Sequence, residues 1–252
     1  MKNTVLFLAA LIGAATCAVN AAPPQQPKAS GIESGDYVWH KPSAEENETH
    51  RLKPDRKRGA VAYEVCRGCH RADGSGRDDG SYPQLAGQHR TVLIKQMVDI
   101  RDGVRDNPKM FPFAGKHIIT TQDIADIAAY LEALPLPTHN GRGPGKTLEH
   151  GGMLYERDCR TCHGVYGEGD RKKFYPMVAG QHYAYMVRQI SQIRTRQRRN
   201  ANPDMVKAVK DYTAADIEAM GIRTQVTDTI MRDAAVAQRL AEAALSLAAS
   251  LR

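Results

Sequence analysis

Apolar positions recur with the period of an α-helix in two stretches that lie 93 residues apart. Each stretch carries an apolar trio spaced i, i+4, i+7: Leu93, Met97 and Ile100 in the first, and Met186, Ile190 and Ile193 in the second. Since these positions share one face of a helix, each stretch predicts an amphipathic helix. The common step predicts two homologous units.

A further helix is predicted after each amphipathic one. In the first unit Thr120 or Thr121 suits the N-cap and Asp123 the first turn, and an apolar stripe follows. Pro135 and Pro137 end this helix, because proline cannot continue it. The sequence Thr213-Ala-Ala-Asp-Ile opens a corresponding helix in the second unit.

The pattern divides the chain into six segments. They are a signal peptide at residues 1–21, an extended arm at 22–57, a first domain at 58–137, a linker at 138–147, a second domain at 148–222, and a C-terminal helical extension or replacement helix at 223–252. The first segment has a lysine, an apolar run and small residues at a cleavage site, as an export signal requires. It therefore predicts a periplasmic protein. The arm is polar but contains the only tryptophan, Trp39.

Cysteine adds the candidate chemistry. Cys66-x-x-Cys69-His70 recurs as Cys159-x-x-Cys162-His163, and this pentapeptide is the attachment signature of covalent haem c. Cysteines three apart project from one face of a helical turn, so both can add to the vinyl groups of one porphyrin, and the histidine can reach the iron. Four cysteines also suit zinc, but a histidine after each pair and their wide separation favour haem. We predict two haem c groups with His70 and His163 as proximal ligands.

Composition agrees with two haem-centred domains. The fifth cysteine, Cys17, lies in the predicted signal peptide, so no thiol remains for a disulfide in an oxidising compartment. The chain has four phenylalanines and one tryptophan, which provide few large apolar side chains for two small hydrophobic cores. A buried macrocycle would supply the apolar bulk that a domain of about 80 residues lacks.

Two methionines are candidates for the distal side of the irons. Asn107-Pro-Lys-Met110 and Asn202-Pro-Asp-Met205 are near copies, each between the amphipathic helix and the capped helix. A thioether ligand raises the potential of a haem iron. The remaining histidines are treated as non-ligands, because they either lack a counterpart in the other unit or begin a helix.

The second unit departs from the first after Met220. Where the first unit has Ala129-Tyr-Leu131 on its last helix, the second has Ile222-Arg-Thr224, and the apolar face is lost. An Ala/Leu-rich helix follows after residue 232. If that helix replaces the expected one, Met231 is the alternative to Met205 as the ligand.

Together these motifs resemble the two-haem cytochrome c4 family over residues 58–137 and 148–220. The resemblance rests on each Cys-x-x-Cys-His, the Tyr-Pro-x-(Leu/Val)-Ala-Gly-Gln stretches that begin at Tyr82 and Tyr175, and the helices and methionine turns after them. It implies an all-α protein with two tandem class I cytochrome c domains and His/Met ligation of both haems. It also implies that the Pro83 and Pro176 carbonyls accept the ring N–H of the proximal histidines.

The function implied is electron transfer in the periplasm, from dehydrogenases as donors to a terminal oxidase as acceptor. The alternatives are the haem-bearing subunit of a dehydrogenase, and a di-haem enzyme whose second haem is open. No other catalytic constellation is present in the sequence, and nucleic acid is excluded as a partner. An arginine run predicts a basic face for an acidic redox partner or an anionic membrane surface: Arg188, Arg194, Arg196, Arg198 and Arg199.

Overall fold

The computed structural model describes residues 25–144 and 147–220, which form eleven α-helices and no extended strand. The helices before the linker are α1 (Ala44–Arg51), α2 (Arg56–Ala62), α3 (Arg67–His70), α4 (Arg90–Arg101), α5 (Phe111–Ala114) and α6 (Thr121–Ala133). Those after it are α7 (Leu148–Leu154), α8 (Arg160–His163), α9 (Tyr183–Arg194), α10 (Pro203–Val209) and α11 (Ala214–Ala219). The protein is helical, as predicted.

In the first domain, α6 packs across α2 and against the amphipathic helix α4. The predicted trio on α4 is buried, with Leu93 and Met97 each 6% exposed and Ile100 fully buried. Thr120 is the N-cap of α6, and it forms a capping box in which Thr120 and Asp123 each accept the other's backbone N–H. The predicted helices of this domain are therefore present, and they enclose one apolar core.

The second domain repeats this arrangement. The amphipathic helix α9 contributes Ile190 and Ile193 to a separate core, with Met186 packed at its edge. Thr213 caps α11 with the same capping box, and α11 packs on α7 and α9. The predicted C-terminal helix and the sequence change after Met220 lie outside the described residues.

The N-terminal arm is not extended throughout, and that part of the prediction is wrong. Ser43 accepts the backbone N–H of Glu46 and begins α1, whose first turn is acidic and whose last turn is basic. α1 packs against α4 and α6. A capped, charge-matched segment with a surface to pack on becomes a helix even where its apolar periodicity is weak.

Before α1 the arm runs along both domains. Gln26 donates to the carbonyls of Ile100 and Arg105 in the first domain, whereas Ile32 donates its backbone N–H to the carbonyl of Arg199 in the second.

Among the described residues, no helix is long and apolar enough to cross a membrane.

Candidate haem-binding sites

The two Cys-x-x-Cys-His segments occupy equivalent helical turns. A 3₁₀ turn over Tyr63–Val65 leads into α3, and a π-helical turn over Tyr155–Cys159 leads into α8. All four cysteines of the described chain have free thiols. Burial raises the pKa of the Cys66 thiol to about 11 and that of Cys159 to about 12. Each pair lies beside a cavity wall with its proximal histidine.

His70 and His163 are held in one orientation each. The Nδ1 of His70 lies 3.1 Å from the carbonyl oxygen of Pro83, and that of His163 lies 2.9 Å from the carbonyl oxygen of Pro176. Since a carbonyl can only accept, Nδ1 carries the proton and Nε2 keeps its lone pair. Burial lowers the pKa of both imidazoles, so each ring is neutral at neutral pH. A neutral ring with a free Nε2 is the form that binds a haem iron.

A tyrosine hydroxyl is hydrogen-bonded behind each turn, a contact that the sequence had not predicted; Tyr63 is buried and Tyr155 is half-buried. The Tyr63 hydroxyl donates to the carbonyl of Arg71 at 3.0 Å, and the Tyr155 hydroxyl donates to that of Gly164 at 2.7 Å. Arg71 and Gly164 directly follow the two histidines. The sequence contains Gly59-x-x-x-Tyr63 and its counterpart Gly151-x-x-x-Tyr155, but it does not show that each tyrosine contacts the residue after the histidine.

Met110 and Met205 both line the same cavity as the histidines. Their local structures differ, although both follow an Asn-Pro pair. Met110 lies in a turn where its N–H contacts the Asn107 carbonyl, at the N-cap of α5. Met205 lies within the first turn of α10, which Asn202 caps. Met231 lies outside the described residues.

The cavity itself fits two large apolar groups. Its volume is about 2210 Å³, well above the roughly 300–1,000 Å³ of a pocket for one small ligand. Both cysteine pairs, both histidines and both methionines line it, together with apolar side chains of the two cores. The residues present therefore fit two haem groups, each reached by a cysteine pair and flanked by a histidine and a methionine.

A reciprocal set of hydrogen bonds joins the two domains next to these sites. The side-chain amide of Gln88 donates to the carbonyl of Met177 and accepts its N–H, both at 2.9 Å. Ninety-three residues on, the amide of Gln181 makes the same two bonds with Gln84, at 3.0 and 2.9 Å. Gln84 and Met177 directly follow the prolines that hold the proximal histidines. The conformations of the two proximal loops are thus tied to each other.

His89 and His182 extend this interface, in keeping with their treatment as non-ligands. The Nε2 of His89 lies 2.7 Å from the carbonyl oxygen of Glu168, and that of His182 lies 2.7 Å from that of Ser75. Glu168 and Ser75 are themselves 93 residues apart. The repeated pairs Gln88-His89 and Gln181-His182 thus join the two units, a role that only the three-dimensional contact reveals.

The arginine run that was predicted to form a basic face is partly engaged inside the molecule. Arg188 donates to the Gly80 carbonyl, Arg194 to that of Tyr212, and Arg198 to the Gln189 side chain. Arg199 pairs with Glu33 of the arm. Arg196 is the exposed member of the five. Four of the five guanidinium groups thus have partners inside the molecule, but among the described residues Arg199 is the one of the five that pairs with a carboxylate, so the basic docking face stays a prediction.

The arm also reaches the second haem site. Trp39 stacks on Tyr175 with ring centroids 6.1 Å apart, and His40 contacts Phe174 at 3.7 Å between centroids. Trp39 lines the cavity. A single aromatic in a polar segment gave little reason to expect this contact, because docking depends on the shape of the partner surface.

Comparison with known proteins agrees with this geometry. The sequence profile described as Cytochrome c matches residues 56–135 and again residues 148–237. The chain is 33% identical to cytochrome c4 of Azotobacter vinelandii over 168 residues, which cover 60% of this chain and 78% of the relative. It is also 33% identical to the thiosulfate dehydrogenase electron acceptor of Stutzerimonas stutzeri, covering 60% of this chain and 78% of the relative.

Among solved structures, reduced cytochrome c4 from Pseudomonas stutzeri superposes with a TM-score of 0.61 at 27% identity. The match covers 68% of this chain and all of the other. The arm before residue 56 lies outside the two matched profile segments.

Proposed function

Because the chain belongs to the cytochrome c4 family of two-domain cytochromes with two covalent haem c groups, we propose that it carries electrons in the periplasm from dehydrogenases to a terminal oxidase. Transfer of electrons is the function of the family as a whole. The compartment, the donor and the acceptor are the parts that we propose for this chain.

The observation that carries this proposal is that a histidine and a methionine of each domain line the cavity. His70 with Met110 and His163 with Met205 line one cavity. A histidine and a methionine would hold the iron of each bound haem, and no position would then be left for a substrate. All four cysteines of the described chain belong to the attachment motifs, so none is left as a ligand. Each bound haem would supply a one-electron couple, and outer-sphere transfer is then the available chemistry.

The protein contributes rigid support to this transfer. Pro83 and Pro176 orient the two histidines, and the reciprocal bonds of Gln88 and Gln181 fix the loops that carry them. A fixed frame keeps the two sites at constant separation and limits rearrangement when an electron arrives.

The similarity to a thiosulfate dehydrogenase electron acceptor makes a thiosulfate dehydrogenase a candidate donor. The alternative is that the chain is the permanent haem subunit of a dehydrogenase. A free carrier is expected to purify alone and to be reduced by the dehydrogenase in catalytic turnover, whereas a subunit would co-purify with its catalytic partner at fixed stoichiometry.

Methionine ligation is tested by absorption and magnetic circular dichroism of the oxidised holoprotein. We expect the methionine-to-iron charge-transfer band with the intensity of two haems. Met110→Ala and Met205→Ala should each remove half of it, because each deletes one sulfur ligand. Met153→Ala is the matched control, since Met153 is 59% exposed, and it should leave the band unchanged. A high-spin second haem in the wild-type protein would contradict the carrier function and favour an enzyme.

A further inference from the structure

The N-terminal arm contacts the chain where both methionine turns begin. These turns are residues 107–110 in the first domain and residues 202–205 in the second. The arm reaches the first turn through Gln26 and the second through Tyr37. Both residues lie before position 56, where the match to the cytochrome c profile starts. The arm therefore adds contacts to the two turns from outside the matched domains.

In the first domain, one glutamine of the arm holds the entry to the turn. The Nε2 of Gln26 donates to the carbonyls of Ile100 and Arg105, both at 2.7 Å, and its Oε1 accepts the backbone N–H of Asn107 at 2.9 Å. Since carbonyls can only accept and a backbone N–H can only donate, this orientation of the amide satisfies all three bonds. Gln26 thereby links the last turn of α4 to the first residue of the methionine turn.

The bond to Asn107 is one step away from the methionine. The carbonyl of Asn107 accepts the N–H of Met110 at 3.1 Å and that of Phe111 at 3.0 Å. The backbone of the arm also lies so close here that a Cβ on Gly103 would collide with the carbonyl oxygen of Pro27. If the turn moved to release the methionine, it would therefore have to break its bonds to the arm.

In the second domain, a tyrosine of the arm has the corresponding place. The hydroxyl of Tyr37 donates to the carbonyl of Ala201 at 3.1 Å, and burial raises the pKa of this hydroxyl, so it remains a donor at neutral pH. Ala201 is buried and directly precedes Asn202, which caps the helix that contains Met205. Ile32 packs on the same apolar core as Met205. One hydrogen bond and apolar packing thus support the second turn.

We propose that the arm is a clamp on both methionine turns, in which Gln26 keeps Met110 and Tyr37 keeps Met205 at the distal side of the two haems. This inference rests on the methionine ligation of the proposed function. Gln26 and Tyr37 are positioning residues, because they act through the backbone of Asn107 and Ala201. A thioether is a soft ligand that favours reduced iron, so the clamp matters most in the oxidised protein, where methionine is held less firmly.

The test is a titration of the oxidised holoprotein with imidazole, which can bind a haem only after its methionine has been released. Loss of the methionine-to-iron band follows this binding. The apparent affinity for imidazole should rise by the factor by which the open turn becomes more populated. For Gln26→Ala, which removes three hydrogen bonds, we expect a rise of about tenfold at the first haem. For Tyr37→Phe, which removes one, we expect a rise of about fivefold at the second.

The matched control changes the same residue type at the neighbouring position. Gln25 is exposed, so Gln25→Ala should keep both wild-type affinities. Met110→Ala and Met205→Ala each leave one methionine band, which assigns the two phases of the titration to the two domains. Each clamp variant should change the phase of its own domain and leave the other unchanged. Equal affinities in Gln25→Ala and Gln26→Ala would overturn the proposal.

Hydrogen exchange of the wild-type holoprotein keeps the proposal falsifiable if a variant does not fold. The N–H of Asn107 should be protected by its bond to Gln26, and saturation with imidazole should remove this protection, because the turn must open. Protection that persists with imidazole bound would overturn the clamp. Absence of the methionine band from the wild-type protein would instead contradict the proposed function, whereas a normal band with unchanged imidazole affinity in both variants would overturn the clamp alone.

Discussion

At the residue scale, the two haem sites differ in the residue that follows the proximal histidine. Gly164 has φ 83° and ψ 176°, a conformation that glycine tolerates, but its counterpart Arg71 has φ 63° and ψ 167°. Non-glycine residues in this region cost about 1–3 kcal/mol. The carbonyl of Arg71 accepts a hydrogen bond from the hydroxyl of the buried Tyr63, as that of Gly164 does from the half-buried Tyr155. The surrounding structure therefore holds Arg71 in its strained conformation.

Relief of this strain should stabilise the first domain. We expect Arg71→Gly to lower the strain by more than it adds to the entropy of the unfolded chain, with a net gain of about 1 kcal/mol. The reverse change is the control. Gly164→Ala adds a Cβ that would lie 2.2 Å from Glu168, and it should destabilise the second domain. Thermal unfolding followed by circular dichroism measures both, and a lower midpoint for Arg71→Gly would show that the strain is absent.

The sequence predicted the four cysteines and two histidines at the sites, because covalent attachment demands a fixed local spacing. It could not predict that Gln26 and Tyr37 contact the chain at the methionine turns. Polar side chains recur along the arm, and only the packing of the arm on two domains decides which of them meets a turn. The step of 93 residues gave no signal here, because the arm lies before the first unit of the repeat.

At the element scale, each domain depends on one close helix crossing. In the first domain α2 crosses α6 at Gly59, where a Cβ would lie 2.1 Å from the carbonyl oxygen of Asp126. In the second, α7 crosses α11 at Gly151, and a Cβ there would lie 2.0 Å from the carbonyl oxygen of Ala219. Glycine is required at both crossings because backbone meets backbone.

Substitutions at the neighbouring Gly151 and Gly152 of α7 can measure the effect of packing separately from that of helix propensity. Gly151→Ala should destabilise the second domain by about 1–3 kcal/mol, because the added methyl group pushes α11 away. Gly152→Ala is the matched control, since no atom lies within 4 Å of a Cβ at that position. It should be neutral or stabilise by up to about 1 kcal/mol, through the higher helix propensity of alanine. Chemical denaturation of the holoproteins gives the two free energies of unfolding, and equal values would contradict a tight crossing.

Helices with a cap and an apolar face could be predicted from the sequence, as α4, α6 and α9 were. The turn that contains Met110 and the helix that contains Met205 could not be distinguished, because both follow an Asn-Pro pair. Asn202 caps a helix, whereas Asn107 closes a turn. The difference depends on what packs beyond the methionine, which local sequence does not encode.

At the scale of the whole molecule, the arm is anchored by a buried carboxylate. Glu46 of α1 is 2% exposed, and its Oε1 lies 3.2 Å from His40 and 3.7 Å from His50. Burial alone would raise the pKa of Glu46, but the hydrogen bond from His40 and the proximity of His50 lower it to about 2. Both histidine rings also contact Phe174 of the second domain. The carboxylate therefore supports the attachment of the arm to both domains.

This anchor should make stability depend on pH. An unfolded glutamate has a pKa of about 4.3, so the ionised Glu46 contributes fully above that pH, and its contribution is lost as the pH falls through 4 toward 2. Glu46→Gln should therefore lower stability by about 1.5 kcal/mol at pH 7, with a difference from wild type that shrinks on acidification. Glu48→Gln, on the exposed face of the same helix, should have little effect. A difference that is constant from pH 7 to pH 3, in thermal unfolding, would contradict the role of the carboxylate.

Gln88 and Gln181 each make the same two hydrogen bonds to the other domain. This symmetry indicates how the two-domain chain could have arisen. An interface in which both halves present the same surface is one that two identical single-haem chains can form as a homodimer. Fusion of the two genes would keep that geometry. The two halves would then no longer have to meet in solution, because the link holds each at an effective concentration on the order of millimolar around the other. Once joined, the halves are free to diverge, as Arg71 opposite Gly164 and the arm on the second domain illustrate. The reciprocal bonds of Gln88 and Gln181 are thus the contacts that such a homodimer would already have made.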